Sequence, residues 1–324
     1  MNYILVTGCA GFVGFHLARK LLKNKKIKVV GVDNFSNYYD IKLKNKRIDI
    51  LKKESKNNFI FFKINLLNYN SIKKIFNLYK ISYIFHLAAQ AGVRHSLSNP
   101  RAYISNNISV FLNILELSKE NKIKHLVYAS TSSVYGNNKN FPLKENLRTD
   151  TPIQFYAVTK KTNELMAYAY NNLYNIRSTG LRFFTLYGPW GRPDMALFKF
   201  TENIYKKKKI QIYNYGNHMR NFTYIDDAIN MILKIYKVKK NQDTYRIFNI
   251  ANPKVIKLKN YILKIEKYIG FKSIKTKLPL QKGDIKDVKA DISKILKLTN
   301  YNKFTSIDKG INEFIKWFKK YYNV

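Results

Sequence analysis

Tyr3-Ile4-Leu5-Val6-Thr7-Gly8-Cys9-Ala10-Gly11-Phe12-Val13-Gly14 is the stretch that decides the fold. An apolar run short enough for a buried strand gives way to glycines at every third position, then to a segment with helical spacing of apolar residues. Val13, Leu17 and Leu21 supply the buried face of that helix. Glycines at a strand-to-helix corner let the backbone come close to a pyrophosphate, and the helix start offers N–H groups with no partner inside the helix. Gly8, Gly11 and Gly14 follow GxxGxxG rather than the GxGxxG of ordinary dehydrogenases. A plain tight turn would explain the glycines alone, but not the strand before them and the helix after.

Beyond this corner, strand-like runs alternate with helical patterns, as successive βαβ units do. Strands are expected at Tyr3–Val6, Lys28–Val32, Phe59–Lys63, Tyr83–Leu87, Leu126–Ser130 and Thr179–Phe184, with Ile247–Ile250 added later to the same sheet. Right-handed crossovers between parallel strands give an α/β fold with a doubly wound, Rossmann-type parallel sheet. The alternation breaks around 185–225 and 252–324, which predicts a smaller C-terminal substrate-binding lobe. Residues 1–184 and 226–251 are then the dinucleotide-binding domain. No internal repeat and no flexible linker separates the two.

The 324 residues are 46% hydrophobic, enough for a sizeable core. No apolar run is long enough to span a bilayer, and Met1–Val6 leads straight into the glycine loop without room for a signal peptide. Cys9 is the only cysteine, which excludes an internal disulfide and a cysteine-rich metal site. The expectation is a cytoplasmic protein with no membrane association. The net charge of +39 raises the question of nucleic acid. The excess is mostly lysine, whereas phosphate and base readout favours the fork of arginine. Runs such as Lys23-Asn24-Lys25-Lys26 and Lys206-Lys207-Lys208-Lys209 fall on separate presumed solvent faces. No specific nucleic-acid partner is expected.

Asp33 ends the second strand at the distance expected of a ribose-binding carboxylate. Its charge would repel a 2′-phosphate, so NAD is favoured over NADP. Asn65, after the third strand, can offer its side-chain carbonyl to the adenine amino group, or can serve as a turn residue. In Gln154-Phe155-Tyr156-Ala157-Val158-Thr159-Lys160, a tyrosine and a lysine stand one helical turn apart. Tyrosine titrates near pH 10, so a base role at neutral pH needs its phenolate stabilised, and Lys160 on the same face can supply the positive charge. A hydroxyl from Ser130-Thr131-Ser132-Ser133-Val134-Tyr135-Gly136 can hold the substrate oxygen.

With these residues in place, the chain resembles the extended short-chain dehydrogenase/reductase superfamily, and within it the nucleotide-sugar epimerases of the UDP-glucuronate 4-epimerase type. The shared blocks are Asn37–Asp40, His86–Arg94 and the long run Leu181–Ala196, with Leu181-Arg182-Phe183-Phe184-Thr185-Leu186-Tyr187-Gly188-Pro189-Trp190-Gly191-Arg192 at its centre. The resemblance implies a catalytic triad of Thr131, Tyr156 and Lys160. Tyr156 would take the proton of the sugar 4-OH while C4 gives hydride to tightly held NAD, and the 4-keto sugar would turn over before hydride returns. Cofactor contacts are expected from Gly8, Gly11, Phe12, Val13, Gly14, Asp33, Asn34, Asn65, Leu66, Leu87, Ala88, Ala89, Gln90, Tyr156 and Lys160. On the UDP-sugar side the resemblance implies Thr185 and Arg192 at the sugar carboxylate, with Ser132 and Ser133 close by. Tyr213 would pack on the uracil, Arg220 would bind the diphosphate, and Asp284 in Gln281-Lys282-Gly283-Asp284 would bind the uridine ribose. Arg192 has an alternative, a pairing with Asp194, and Tyr213 can equally be ordinary packing.

Two departures stand out. Asn65 and Asn221 replace the aspartates usual in the family, keeping an acceptor without the charge. Related dehydratases and UDP-glucuronate decarboxylases carry acidic groups just before the Val-Tyr-Gly, where this chain has Ser132 and Ser133. Serines cannot do that proton transfer, which favours reversible epimerisation, with a 4-epimerase of another UDP-sugar or a decarboxylase as the alternatives. A non-enzymatic NAD sensor would not need the Tyr/Lys pair. The five histidines show no metal-ligand spacing, so no metal is predicted. Helices around 100–120 and 154–174 pair across a two-fold axis in this superfamily, which implies a homodimer.

Overall fold

The computed structural model describes residues 3–237, 243–281 and 283–324; Met1, Asn2 and Lys282, quoted above, lie outside them. The chain divides into two compact units. One comprises Met1–Gly136, Arg148–Phe183 and Ile232–Phe248; the other comprises Asn137–Leu147, Phe184–Met231 and Asn249–Val324.

The first unit is built on a seven-stranded sheet of Tyr3–Thr7 (β1), Lys28–Asp33 (β2), Phe59–Lys63 (β3), Ile81–His86 (β4), His125–Thr131 (β5), Ser178–Phe183 (β6) and Tyr245–Ile250 (β7). Their order across the sheet is β7-β6-β5-β4-β1-β2-β3. Pairings from β3 through β6 are parallel. β7 runs the same way, because Ser178 N–H bonds Thr244 O and Phe184 N–H bonds Ile250 O at one constant offset. Chain order reverses between β1 and β4. In such sheets a crevice opens there at the carboxyl ends of the strands, and ligands bind in it. Every expected strand exists within about two residues of its expected bounds, as the alternating pattern implies.

The connecting helices are Phe12–Leu22 (α1), Ile41–Ser55 (α2), Tyr69–Leu78 (α3), Val110–Glu120 (α4) and Phe155–Tyr174 (α5). Leu5, Val30, Val32, Ile84 and Leu126 from the strands pack with Ile72, Phe76, Phe111 and Leu115 from α3 and α4. On α1, Phe12, Phe15, Leu17, Ala18 and Leu21 are buried, while Val13 is only half-buried. The buried arc is therefore rotated slightly from the expected Val13–Leu17–Leu21 stripe, because two phenylalanines fill it.

The second unit has a strongly aromatic core in which Tyr187, Phe198, Phe222, Tyr261, Phe314 and Phe318 meet, with Phe222 and Tyr261 stacked at 3.8 Å. Its C-terminal helix Ile307–Tyr322 starts on a Ser306 cap and buries Ile311, Phe314, Ile315 and Phe318 at helical spacing. Thr185–Tyr187 pairs in parallel with Phe222–Tyr224. Asn137–Leu147 belongs to this unit through Leu143: its N–H bonds Lys289 O at 2.7 Å, and its carbonyl accepts Asp291 N–H and Asn249 Nδ2, each at 2.9 Å. Among the described residues no helix is long and apolar enough to cross a membrane.

Candidate active site

The corner after β1 is held by backbone geometry alone. Gly8 has φ +69° and donates its N–H to Val32 O at 2.8 Å, while Gly11 N–H bonds back to Gly8 O at 2.9 Å. A Cβ on Gly8 would stand 2.7 Å from Ala88 N, and one on Gly14 only 2.1 Å from Gly8 O. Both positions therefore require glycine. Gly11 caps α1 without a side chain, and the first turn carries no acidic residue, so the N–H groups of Phe12 and its neighbours remain available to an anion.

Asp33, at the end of β2, is aimed at this loop. Its Oδ2 accepts Ala10 N–H at 3.1 Å and its Oδ1 accepts Phe35 N–H at 2.9 Å. Each oxygen keeps a further lone pair for a sugar hydroxyl. Burial raises its pKa, against the lowering effect of the Phe35 N–H, Lys44, the Ala10 N–H and Arg47. Both cations come from α2. Arg47 is fully buried, donating to Ala10 O at 2.7 Å and to the Tyr39 hydroxyl at 2.8 Å. Lys44 donates to Ser36 O with its ammonium over the Tyr39 ring. Sequence reading missed both, because their partners are a carbonyl and a ring that leave no charge pattern.

Asn34 and Asn65 use their side-chain carbonyls in their own turns, accepting Ser36 N–H and Leu67 N–H at 3.0 Å. For Asn65 this is the turn-residue alternative. Leu66 buries its side chain in the core and offers its carbonyl to Asn113 at 2.9 Å. Leu87 and Ala88 hang from β1, Leu87 N–H on Thr7 O and Ala88 N–H on the Thr7 hydroxyl, both at 3.2 Å. Ala89 and Gln90 follow on that loop. Gln90 exchanges two backbone bonds with the Asn107 side chain, at 2.8 and 3.1 Å. Asn107 also reaches Thr159 Oγ1 at 3.1 Å, so it ties this loop to α5. It lies in a π-helical stretch, Ile104–Ser109, a distortion often found at working sites.

Thr131 closes β5 and its Oγ1 accepts Ser133 N–H at 3.2 Å, starting the short turn that carries Ser132 and Ser133, both half-buried. On α5, Tyr156 is half-buried and meets Tyr103 edge-on at 6.0 Å. Lys160, one turn later, is 2% exposed. Burial lowers its pKa from the ordinary 10.5 to about 7, with Glu164 raising it in part. His86 lies at the end of β4, bonded to the Thr7 hydroxyl at 2.9 Å. Burial, and secondly the charge of Lys160, push it down to about 3, so it stays neutral. A buried ammonium one helical turn from a tyrosine favours the phenolate, and a phenolate in turn favours the ammonium.

In the second unit the expected residues divide. Arg220 is held by backbone carbonyls, Nη1 on Met219 O at 2.9 Å and Lys286 O at 2.7 Å and Nη2 on Ile285 O. Burial lowers its pKa, while Asp284 and Asp287 act to raise it, so Arg220 and Asp284 are brought together. Arg192 grips Asp194 with both arms, Nε on Oδ1 at 2.9 Å and Nη2 on Oδ2, which is its alternative pairing. Tyr213 is half-buried with its hydroxyl on Gln211 Oε1 at 2.7 Å. Thr185 starts a strand opposite Phe222. Asn221 is fully buried, its Nδ2 donating to Asn252 O at 2.7 Å and its Oδ1 accepting Ala290 N–H at 2.9 Å. An aspartate there could not make the first bond, so an amide suits this surrounding.

Among the described residues no group of His, Cys, Asp and Glu is placed to hold a metal ion. The sequence profile of the NAD dependent epimerase/dehydratase family matches residues 4–251. The chain is 43% identical over 321 residues to the UDP-glucuronate 4-epimerase of Thermodesulfobacterium geofontis, covering 99% of this chain and 97% of that one. Its structure superposes on that of UDP-glucuronic acid 4-epimerase from Bacillus cereus in complex with UDP-glucuronic acid and NAD at TM-score 0.93, with 35% identity and coverage of 99% and 100%. UDP-glucose 4-epimerase from Thermotoga maritima with UDP-glucose matches at TM-score 0.87 and 28% identity over 99% of this chain and 100% of that one. Glycine corner, the Tyr156/Lys160 helix and matched sequence agree, and the chain belongs to the NAD dependent epimerase/dehydratase family.

Proposed function

We propose that this chain catalyses epimerisation at sugar C4, interconverting UDP-glucuronate and UDP-galacturonate through a 4-keto intermediate. The observation that carries the chemistry is the buried Lys160 one helical turn beyond Tyr156, on a helix next in the chain to the Thr131 strand end. The substrate choice is supported by the Bacillus cereus enzyme, which is matched over the whole chain. Gly8, Gly11, Gly14 and the first turn of α1 would hold the pyrophosphate of NAD, and Asp33 an adenosine ribose. NAD supplies a hydride acceptor and donor for C4. Thr131 holds the 4-oxygen, Tyr156 takes its proton, and Lys160 stabilises the phenolate. Return of the proton by Tyr156 completes either epimer. Ser132 and Ser133 offer hydroxyls but no acid or base for elimination or decarboxylation. Thr185, Arg192, Tyr213, Arg220 and Asp284 are the proposed contacts to the nucleotide sugar; Arg192 would meet the carboxylate by exchanging Asp194 for it.

The functional form is proposed to be a cytoplasmic homodimer. Ile104, Leu112, Val158, Leu165, Tyr168 and Leu173 are exposed on the helical stretches around α4 and α5, an apolar surface that a second copy would cover. A buried, unbridged Cys9 suits a reducing compartment. The test is incubation of purified protein with UDP-glucuronate and, separately, UDP-glucose, with chromatographic resolution of products. UDP-galacturonate from the first alone supports the reading; UDP-xylose, or turnover of the neutral sugar alone, overturns it. Tyr156→Phe should abolish turnover and keep NAD bound.

A further inference from the structure

We infer that Glu164 is a positioning residue for the catalytic pair, its clamped carboxylate supplying the counter-charge that keeps the Lys160 ammonium beside Tyr156. The inference rests on the epimerase reading above. Tyr156, Lys160 and Glu164 are spaced four apart along α5 and so share one face. Glu164 is 2% exposed. Its Oε1 accepts Ser130 Oγ at 2.6 Å and Arg182 Nε at 2.9 Å, its Oε2 accepts Arg182 Nη2 at 2.8 Å, and its carbonyl accepts the Tyr245 hydroxyl at 3.0 Å. Ser130 immediately precedes Thr131. The Arg182 guanidinium lies over the ring of Tyr135, 4.8 Å from its centroid, at the end of the turn that carries Ser132 and Ser133. The carboxylate thus ties β5 and β6, and through Arg182 the serine turn, to the helix that bears Tyr156, and the Glu164 carbonyl adds β7.

A buried ion pair adds little stability over apolar side chains of the same volume, so packing alone does not account for this cluster. The charged and titratable groups facing Lys160 are few. Tyr156 and Glu164 lie on its own helix, Arg182 on β6 is bound to the Glu164 carboxylate, and His86 on β4 is neutral. Asn107, on the neighbouring π-helical stretch, carries no charge. Among the described residues Glu164 is the anion that acts on Lys160.

The test is the pH profile of epimerisation by NAD-loaded wild type, Glu164→Gln, Glu164→Asp and the double variant Glu164→Gln/Arg182→Met. The double variant avoids a stranded buried guanidinium if the single one folds poorly. The alkaline limb, set by loss of the Lys160 proton, should move to lower pH by roughly one to two pH units in Glu164→Gln, as expected for removing one charge from an i, i+4 helix neighbour at an effective dielectric of about 20, and by less in the double variant, which also removes the opposing charge of Arg182. Glu164→Asp, which keeps the charge, should return the limb toward wild type, and KM for UDP-glucuronate should change less than kcat. A limb that stays in place while turnover falls uniformly means a purely structural role and overturns the inference. Wild type inactive on UDP-glucuronate removes the epimerase reading itself and this inference with it; active wild type with unmoved limbs removes this inference alone.

Discussion

Replacing Lys160 by Met should inactivate the chain and at the same time stabilise its NAD-free form, most strongly below pH 7. The side chain is fully buried, and burial draws its pKa from 10.5 to about 7 despite Glu164. A displacement of that size corresponds to roughly 5 kcal/mol, at about 1.4 kcal/mol per pH unit. Loss of the packed stem and its fit takes back part of this, leaving a net gain of about 2–4 kcal/mol for the Met variant. The direction with pH follows from proton counts. Between about pH 7 and pH 10.5 the unfolded chain holds the Lys160 proton and the folded chain does not, so wild type gains stability as pH rises through that window. Below it both states hold the proton, and the folded state carries the full cost of a buried ammonium. The Met variant lacks this dependence, so its advantage is widest at low pH and closes toward pH 10.5. Urea unfolding of the NAD-free proteins, followed by far-UV circular dichroism from about pH 6 to about pH 10 at fixed ionic strength, measures the gap. A variant weaker than wild type at the acid end, or a gap that does not change with pH, would refute the reasoning.

Three other perturbations probe the remaining parts. Gly14→Ala places a methyl 2.1 Å from Gly8 O and 2.8 Å from Gly8 C, backbone already bonded to Gly11 and Val32. It should cost about 1–3 kcal/mol in thermal unfolding and weaken NAD binding about tenfold or more in a calorimetric titration; unchanged NAD affinity would show that the loop does not carry the cofactor. Arg192→Ala should raise KM for UDP-glucuronate about tenfold or more with NAD affinity unchanged. If KM is unaltered, the guanidinium serves Asp194 alone. Leu165→Glu puts a charge on an apolar position that is 57% exposed. Light scattering should find wild type dimeric and the variant monomeric; a monomeric wild type ends the dimer proposal.

The sheet was legible because each strand announces itself locally. A run such as Leu126-Val127-Tyr128-Ala129 needs only its own composition to be placed, and the topology follows from handedness once strands and helices alternate. The glycine corner and the Tyr156/Lys160 spacing were legible for the same reason. What escaped is non-local. Glu164 meets Ser130 and Arg182 across separations of 34 and 18 residues, and nothing near any of the three marks the contact. Arg47 sits among lysines in α2 yet goes inward, because Ala10 O and the Tyr39 hydroxyl satisfy it, and only the fold supplies those partners. The Asn137–Leu147 segment joins the second unit through Leu143 contacts with Lys289 and Asp291, which no pattern in either stretch reveals. Arg192 was readable as a carboxylate binder or as a partner of Asp194, and local spacing left both open.

The charge of the chain illustrates why composition speaks about surface rather than site. Lysines and arginines number 59 against 20 acidic residues, and the conspicuous runs at Lys23–Lys26 and Lys206–Lys209 are exposed. Exposed ammonium groups are hydrated and screened by salt, so their number can grow with little effect on folding. A positive surface nevertheless makes every buried cation harder to keep charged, since each surface lysine adds a small unfavourable potential. The acidic residues are few, and several stand where one oxygen or one charge settles a local geometry. Asp33 fixes Ala10 in the glycine loop. Glu164 joins Ser130 to Arg182. Glu145 accepts Asn249 N–H, and Asp227 accepts Tyr301 Oη and Thr305 N–H. Removing a surface lysine takes away a screened charge; removing one of these carboxylates leaves a buried donor without its acceptor, which costs more. In a protein this basic, the positions that control protonation at the active site are therefore to be sought among its scarce anions, and among the described residues Glu164, one helical turn beyond Lys160, is the anion that acts on it.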